Sequence, residues 1–270
     1  CDTILAQMAA DCLDTHVDNI VVYGVDTDIS PYDSGSYASS TTYLTGNATI
    51  KTCQMLREKI IAAGAEMLEI DIEDADFDGE KVYSVKEEKS ITLKDIANNV
   101  MCYSNHTLTA TAKEKTPVSP PPYMAGAVEI ELDKETGHVE IIDYATCVDC
   151  GTVINPALAT VQTEGGLVQG IGMALYEDVQ YDNKGRILND SFMQYKIPTR
   201  LDMGKIRVEF ESSYEPTGPF GAKSIGELVI NTPSPALCHA IYNASGVWIN
   251  ELPMTSEKIA MGILKNNIEA

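Results

Sequence analysis

The stretch that most constrains this chain is "PALATVQTEGGLVQGIGMALYED" at 156–178, whose apolar spacing reads as a helix although it carries glycine at 165, 166, 170 and 172. Each glycine costs a helix interior about 1 kcal/mol relative to alanine. A helix that keeps four of them must be approached closely by another element, because a missing Cβ gains most where a neighbour takes its place.

The surrounding pattern narrows the architecture. "AGAVEIELDKETGHVEIIDYATCVDCG" alternates apolar and polar residues on either side of "DKETGH" and predicts a hairpin, in whose second strand Cys147 is expected to be a small buried thiol. "DTILAQMAADCLD" at the start has the spacing of an amphipathic helix, and a second helix is expected from about 42 to 63. "NIVVYGVDTD", "AEMLEIDIED" and "EKVYSV" read as strands, "SITLKDIANNV" as a helix, "KIRVEFES" as a strand, and helices are expected from Pro233 and Thr255. Strands accompany helices in both halves without a regular βαβ repeat. The expected class is therefore α+β: two α/β-sandwich-like halves, 1–115 and 116–270, with helices packed on mixed, largely antiparallel sheets. The join is placed at the proline-rich "TAKEKTPVSPPPY".

Composition excludes several roles. With 270 residues and 44% hydrophobic content the chain can bury a large core. A formal charge of -21, spread along the chain, argues against nucleic acid or an anionic membrane surface as partner. The longest apolar run, "GLVQGIGMAL", is too short for a bilayer, and no signal-like segment opens the sequence, so a cytoplasmic location is expected. The chain opens on Cys1 directly inside a helical pattern, and a preceding segment is expected to be missing from it. Seven scattered cysteines suggest reduced thiols. "CVDC" at 147–150 lacks the second pair or nearby histidines that a zinc or iron-sulfur site wants, and no protein-ligated metal is expected.

Three loops remain as places for chemistry. "SGSYASST" at 34–41 offers hydroxyls and closely spaced N–H groups suited to phosphate or a polar heterocycle, although a solvated turn has the same composition. "VDCGTVINPALATVQTEGG" at 148–166 runs from a polar turn into a helix start, with Gln162 beside a glycine pair; helix capping explains much of it. In "GPFGAKSIGELVINTPSPALCHAIYNA" a glycine-flanked carboxylate, Glu227, precedes a helix, where an acidic residue is also at home for electrostatic reasons.

Taken together with "DTILAQMAADCL", these loops, in this order and spacing, resemble the C-terminal molybdopterin-binding part of the xanthine dehydrogenase and aldehyde oxidoreductase family of molybdenum hydroxylases. The resemblance implies that Gly35, Ser36, Tyr37, Ala38, Ser39, Ser40 and Thr41 wrap the pterin and its dinucleotide pyrophosphate. It implies that the turn at Asp149, Cys150 and Gly151 lies against the cofactor and that Gln162 contacts the pterin. Glu227, with Gly226 before it, would stand beside molybdenum as general base in the hydroxylation of an electron-poor carbon by water-derived oxygen. The implied cofactor is molybdenum with molybdopterin, with cytosine as the nucleotide and a sulfido or selenido terminal ligand. Two departures stand out. The family usually has proline after this glutamate, where Leu228 stands here, so a less rigid loop is expected. The family's molybdenum portions are also much longer, and no FAD or iron-sulfur segment is present. A split enzyme is therefore expected, with a second, large molybdopterin subunit, an iron-sulfur subunit and an FAD subunit as partners. Among split members the likeness is to the medium molybdopterin subunit of bacterial nicotinate dehydrogenases, which implies nicotinate, a small N-heteroaromatic, as substrate; purines and aldehydes are the family's other substrates, and a scaffold or cofactor-storage role is the non-catalytic alternative.

Overall fold

The computed structural model describes residues 1–269 except 25, 34, 105, 106, 116 and 117. Contacts divide the chain into two units, Cys1–Pro120 with Glu215–Ser224, and Pro121–Tyr214 with Ile225–Ala270. The class is α+β: each unit carries a three-stranded sheet with helices against it.

The first unit contains α1 (Asp2–Cys12), α2 (Gly46–Leu68), β1 (Ala75–Phe77), β2 (Lys81–Ser84), β3 (Ser90–Thr92) and α3 (Leu93–Tyr103). Its sheet is antiparallel throughout, in the order β1-β2-β3. Ile60, Phe77, Val82, Ile96 and Val100 form the core between sheet and helices. The Arg57 guanidinium donates to Asp14, Asp76 and the Phe77 carbonyl at 3.2, 3.1 and 2.6 Å, tying α2 to the sheet.

Three local expectations fail here for physical reasons. Residues 20–24 form no strand although they are β-branched and aromatic; Val21 is 87% and Tyr23 63% exposed, and no neighbouring strand pairs with them. β-propensity reflects a fit to a half-buried pleated surface, and none is offered. The strand expected at 65–74 is not formed: α2 continues to Leu68 because Ile60, Gly64 and Ala65 extend its buried face, Glu69 closes it in a left-handed conformation, and Ile72–Asp74 is a 3-10 turn. Ser90–Thr92 is a strand, and α3 starts only after Thr92, whose Oγ1 accepts from Asp95 N–H at 3.1 Å.

The second unit contains β4 (Tyr123–Leu132), β5 (Val139–Asp149), α4 (Pro156–Leu175), β6 (Lys205–Phe210), α5 (Pro233–Ser245) and α6 (Ser256–Glu269). β4 and β5 form the expected antiparallel hairpin, and β6 adds to β5 in parallel, giving the order β4-β5-β6. The ladder slips where Glu129 faces Asp143 but Ile130 faces Ile141, leaving Ile142 as an extra residue. Such a bulge exchanges the two faces of a strand. Buried positions accordingly switch from Val139 and Ile141 to Tyr144, Thr146 and Val148. The same shift turns Cys147 outward, so the buried thiol expected at that position is instead exposed.

Three of the four glycines of α4 are crowded. A Cβ on Gly166 would overlap Val229; on Gly170 it would lie 2.7 Å from Pro233 Cγ and 2.8 Å from the Ile230 carbonyl oxygen; on Gly172 it would meet Glu177 and Pro198. Gly165 faces open space. Among the described residues no helix is long and apolar enough to cross a membrane.

Gly165→Ala is expected to stabilise the protein by up to about 1 kcal/mol, since it gains helix propensity without a clash. Gly170→Ala is expected to destabilise it by about 1–3 kcal/mol, the range for overpacking against neighbours that cannot move aside. Urea unfolding midpoints of the two variants check both signs.

Candidate functional site

In the first unit the 35–41 loop is shaped by its own polar groups. Gly35 N–H donates to Asp33 Oδ1 at 2.7 Å, Ser36 Oγ and Thr41 Oγ1 lie 2.7 Å apart, and Ser40 Oγ donates to the Tyr37 carbonyl at 2.7 Å. Gly35, Ala38 and Ser39 have positive φ (102°, 49° and 52°), whereas Ser40 is right-handed (φ -103°, ψ -20°). Left-handed φ in non-glycine residues costs on the order of 1–3 kcal/mol each and persists only where surroundings impose it. Ser40 N–H donates to the Tyr37 carbonyl at 3.2 Å and closes a turn through the two left-handed residues Ala38 and Ser39. Gly35 to Ala38 are exposed and Ser39 to Thr41 half-buried, so the loop offers backbone and hydroxyls to solvent. Ser34, which opens the loop in sequence, lies outside the described residues.

The loop runs into a π-helical turn at Thr41–Thr45 that leads directly into α2. What holds this turn is the segment Glu215–Ser224. Tyr43 N–H donates to Ser224 Oγ at 3.0 Å, Tyr43 Oη donates to Thr217 Oγ1 at 2.6 Å, and Asn47 Nδ2 donates to the Thr217 carbonyl at 3.0 Å. Thr217 in turn donates its hydroxyl and N–H to Glu215, and this hydrogen bonding holds the Glu215 carboxyl below its ordinary range. Tyr43 and Ser224 are buried at 4% and 6% exposure. Sequence reasoning missed Tyr43, Thr217 and Ser224. The only signal was that Ser224 sits three residues before Glu227, in the same small-residue loop.

The second unit brings other candidates together. Asp149 ends β5 and accepts from Gly151 N–H at 3.0 Å and from Ser213 Oγ, so its carboxylate shapes the turn. Cys150 is buried at 4% exposure and the thiol is not presented to solvent. Asn155 then caps α4, accepting from Leu158 N–H at 3.0 Å, with Pro156 at the first helical position. Gln162, exposed on the second turn of α4, donates Nε2–H to the Gly226 carbonyl at 3.1 Å. That bond fixes the peptide immediately before Glu227. Residues Leu228–Ile230 form a 3-10 turn whose Val229 is fully buried against Gly166. Gly226 and Glu227 are exposed between these two anchors. Among the described residues no cluster of three or more His, Cys, Asp or Glu side chains could hold a metal ion.

Residues 1–204 match the model of the molybdopterin cofactor-binding domain. The chain belongs to this family, that of the molybdenum hydroxylases. Over 266 residues, 98% of this chain and 28% of the relative, it is 34% identical to a probable hypoxanthine oxidase, XdhD, of Escherichia coli K12. It is also 34% identical, over 96% of its own length and 34% of the relative's, to the 6-hydroxypseudooxynicotine dehydrogenase complex subunit gamma of Paenarthrobacter nicotinovorans. Among solved structures, quinoline 2-oxidoreductase of Pseudomonas putida 86 superposes with a TM-score of 0.86 at 28% identity, covering 98% of this chain and 35% of that one. The chain thus spans about a third of the length of these family members. The family match ends before Glu227, whereas the likeness to the hypoxanthine oxidase relative covers nearly the whole chain.

Ser224→Ala removes the hydroxyl that accepts from the buried Tyr43 N–H and is expected to cost about 1 kcal/mol, the net worth of a typical hydrogen bond. Ser224→Thr, which restores a hydroxyl, should recover part of it. Chemical denaturation followed by circular dichroism measures both.

Proposed function

We propose that this chain is one molybdopterin-holding portion of a multi-subunit molybdenum hydroxylase that oxidises an N-heteroaromatic ring, with Glu227 as general base. The observation that carries this reading is the double anchoring of Gly226–Glu227, by Gln162 on one side and by Val229 against Gly166 on the other, with the carboxylate left exposed. A surface carboxylate with no task has no need of such support.

The residues present suit the cofactor. The left-handed residues Gly35, Ala38 and Ser39 bring the backbone of the exposed loop into a tight turn, and Ser36, Ser39, Ser40 and Thr41 add hydroxyls, the groups that a pyrophosphate-binding loop uses. Open space at Gly165, one turn from Gln162, leaves room for a flat ring system against α4. In this reading Gly35 to Thr41 hold the dinucleotide, the turn at Asp149 and Cys150 lies along the cofactor, and Gln162 bonds the pterin with its amide while bracing Gly226. Molybdenum with its pterin dinucleotide, when bound, supplies the two-electron acceptor and the water-derived oxygen; we take the nucleotide to be cytosine and the terminal ligand to be sulfido or selenido. With the group bound, Glu227 would take up at a carboxylate oxygen the proton of the water-derived oxygen, while the hydride of the ring C–H that this oxygen replaces would go to the two-electron acceptor.

Hypoxanthine and quinoline, the compounds in the names of two relatives, are both nitrogen heteroaromatics, which supports this substrate class. Nicotinate is the first member to test, on the likeness to split nicotinate dehydrogenases, ahead of purines and aldehydes. Its carboxylate needs a cation, and since no arginine stands near the three loops in sequence, a partner is the proposed source. The partners we propose are a large molybdopterin subunit, an iron-sulfur subunit and an FAD subunit, assembled in the cytoplasm; the relative named as one subunit of a complex supports such an assembly.

Glu227→Gln keeps size while removing the anionic base, so molybdenum content should stay near normal and turnover should fall by roughly 10²-fold or more. The loss is expected in anaerobic bleaching of the enzyme by substrate, with re-oxidation unchanged. Wild-type bleaching by the variant would favour a scaffold or storage role instead.

Gln162→Ala should release cofactor, because it removes both the pterin contact and the brace on Gly226. Cys147→Ser, on the outer face of β5, should not. Molybdenum per enzyme after gel filtration distinguishes them, and equal loss in both would refute the role given to Gln162.

A further inference from the structure

β4 lies at the edge of its sheet. Among the described residues no backbone hydrogen bond joins Met124–Leu132 to anything but β5. Exposed edges are normally protected by charge, proline or a covering element. The "YMAGAV" half of β4 has no charge and no proline, and charged residues begin only at Glu129. Beside this edge runs a groove of about 410 Å³ lined by Gly126, Ala127 and Val128 of β4 and by Ala236, His239 and Ala240 of α5. Gly126 is closely packed on its Cβ side, where a Cβ would stand 2.6 Å from Tyr144 Oη and 3.0 Å from Thr232 Oγ1, so this part of the groove wall carries no side chain.

The helix across the groove is equally unusual. Charged residues make up 22% of the chain, yet Pro233–Ser245 contains none. Its outer face leads to an aromatic cluster. Trp248, the only tryptophan in the chain, is 50% exposed and meets His239 and Tyr242 edge-on, at ring separations of 5.2 and 5.3 Å. Depletion of charge with exposed tryptophan and tyrosine is the composition of an interface core and its hot spots.

We infer that the β4 edge and the α5 groove receive an extended segment of the large molybdopterin subunit proposed above, which adds a strand to β4 and lays small apolar side chains along the groove. The length of the relatives argues for this occupant: about two-thirds of each family member lies outside the region matched here. Strand addition suits the surface, because main-chain bonds to the edge supply affinity while the groove selects alternate side chains. The inference rests on the proposal that this chain is one portion of a larger molybdenum-containing assembly.

The test uses the assembled enzyme carrying the photo-cross-linker p-benzoylphenylalanine in place of His239. The conjugated peptide is expected to map to the large molybdopterin subunit. Mapping to a second copy of 1–270, to an iron-sulfur or flavin subunit, or to nothing overturns the inference. A second arm follows amide exchange of residues 124–128 in the same assembly. Ala240→Arg should speed exchange at least tenfold, and Ala240→Ser should not; wild-type protection in Ala240→Arg overturns the inference, and if that variant fails to fold the cross-link decides. Molybdenum analysis of the same preparation separates two failures. An assembly without molybdenum sinks the functional proposal, whereas one with molybdenum but no such cross-link sinks only the docking surface.

Discussion

The second unit depends on the close approach between α4 and the turn at Leu228–Ile230. Helix axes packed through ordinary side chains stand 8–10 Å apart. Here Val229 and Pro233 press onto glycine positions 166 and 170, where any Cβ would overlap them. Four glycines weaken α4 as an isolated helix, so its stability must come from what packs on it. Leu167, Ile171, Ala174 and Leu175 supply that burial from the other positions of the helix, in one core with Tyr144, Leu237 and Ile241. The glycines then set position, because a turn seated against backbone has little freedom to slide. Glu227 immediately precedes that turn, and its placement is inherited from the packing.

In the first unit a different kind of restraint does the same work. The 35–41 loop has few apolar groups to bury, and its left-handed residues are conformationally costly. Its shape is held by hydrogen bonds within the loop and by the polar chain from Tyr43 through Thr217 to Glu215. The segment Glu215–Ser224 follows β6 in sequence but packs with the first unit, 170–181 residues away along the chain from its partners there. It then continues without interruption into Ile225, Gly226 and Glu227. One short stretch of polypeptide therefore fixes the turn after the loop and leads to the candidate base.

What was legible in the sequence divides along physical lines. The hairpin, α4, α5 and a close approach to the glycines of α4 were readable, since periodicity and glycine cost are local properties; that Gly165 faces open space was not. The outward position of Cys147 was not, because it depends on one extra residue at Ile142, and a bulge leaves alternation intact on either side while reversing its sense. Residues 20–24 misled through composition: a β-branched run becomes a strand only when another strand lies alongside. The candidate loops were visible as clusters of small and polar residues, and the likeness to a family gave them roles. Tyr43, Thr217 and Ser224 stayed hidden because their hydrogen bonds span 174 and 181 residues, and nothing in either local sequence announces the partner.

Leu228 shows how packing can replace a covalent restraint. Proline after the glutamate would fix one dihedral of the turn and remove an N–H, restricting the chain from within. In this protein the 3-10 turn begins at Leu228, with Ile230 N–H donating to the Glu227 carbonyl at 3.3 Å and Asn231 N–H to the Leu228 carbonyl at 3.0 Å. Gln162 holds the peptide ahead of the carboxylate and buried Val229 holds the turn behind it. Restraint comes from α4 on both sides, so the lack of proline need not imply a loose loop. It does transfer the burden to Gln162 and Gly166: on the proposed reading, the side chain that would meet the cofactor also braces the peptide before the candidate base, and cofactor retention would be coupled to the position of Glu227.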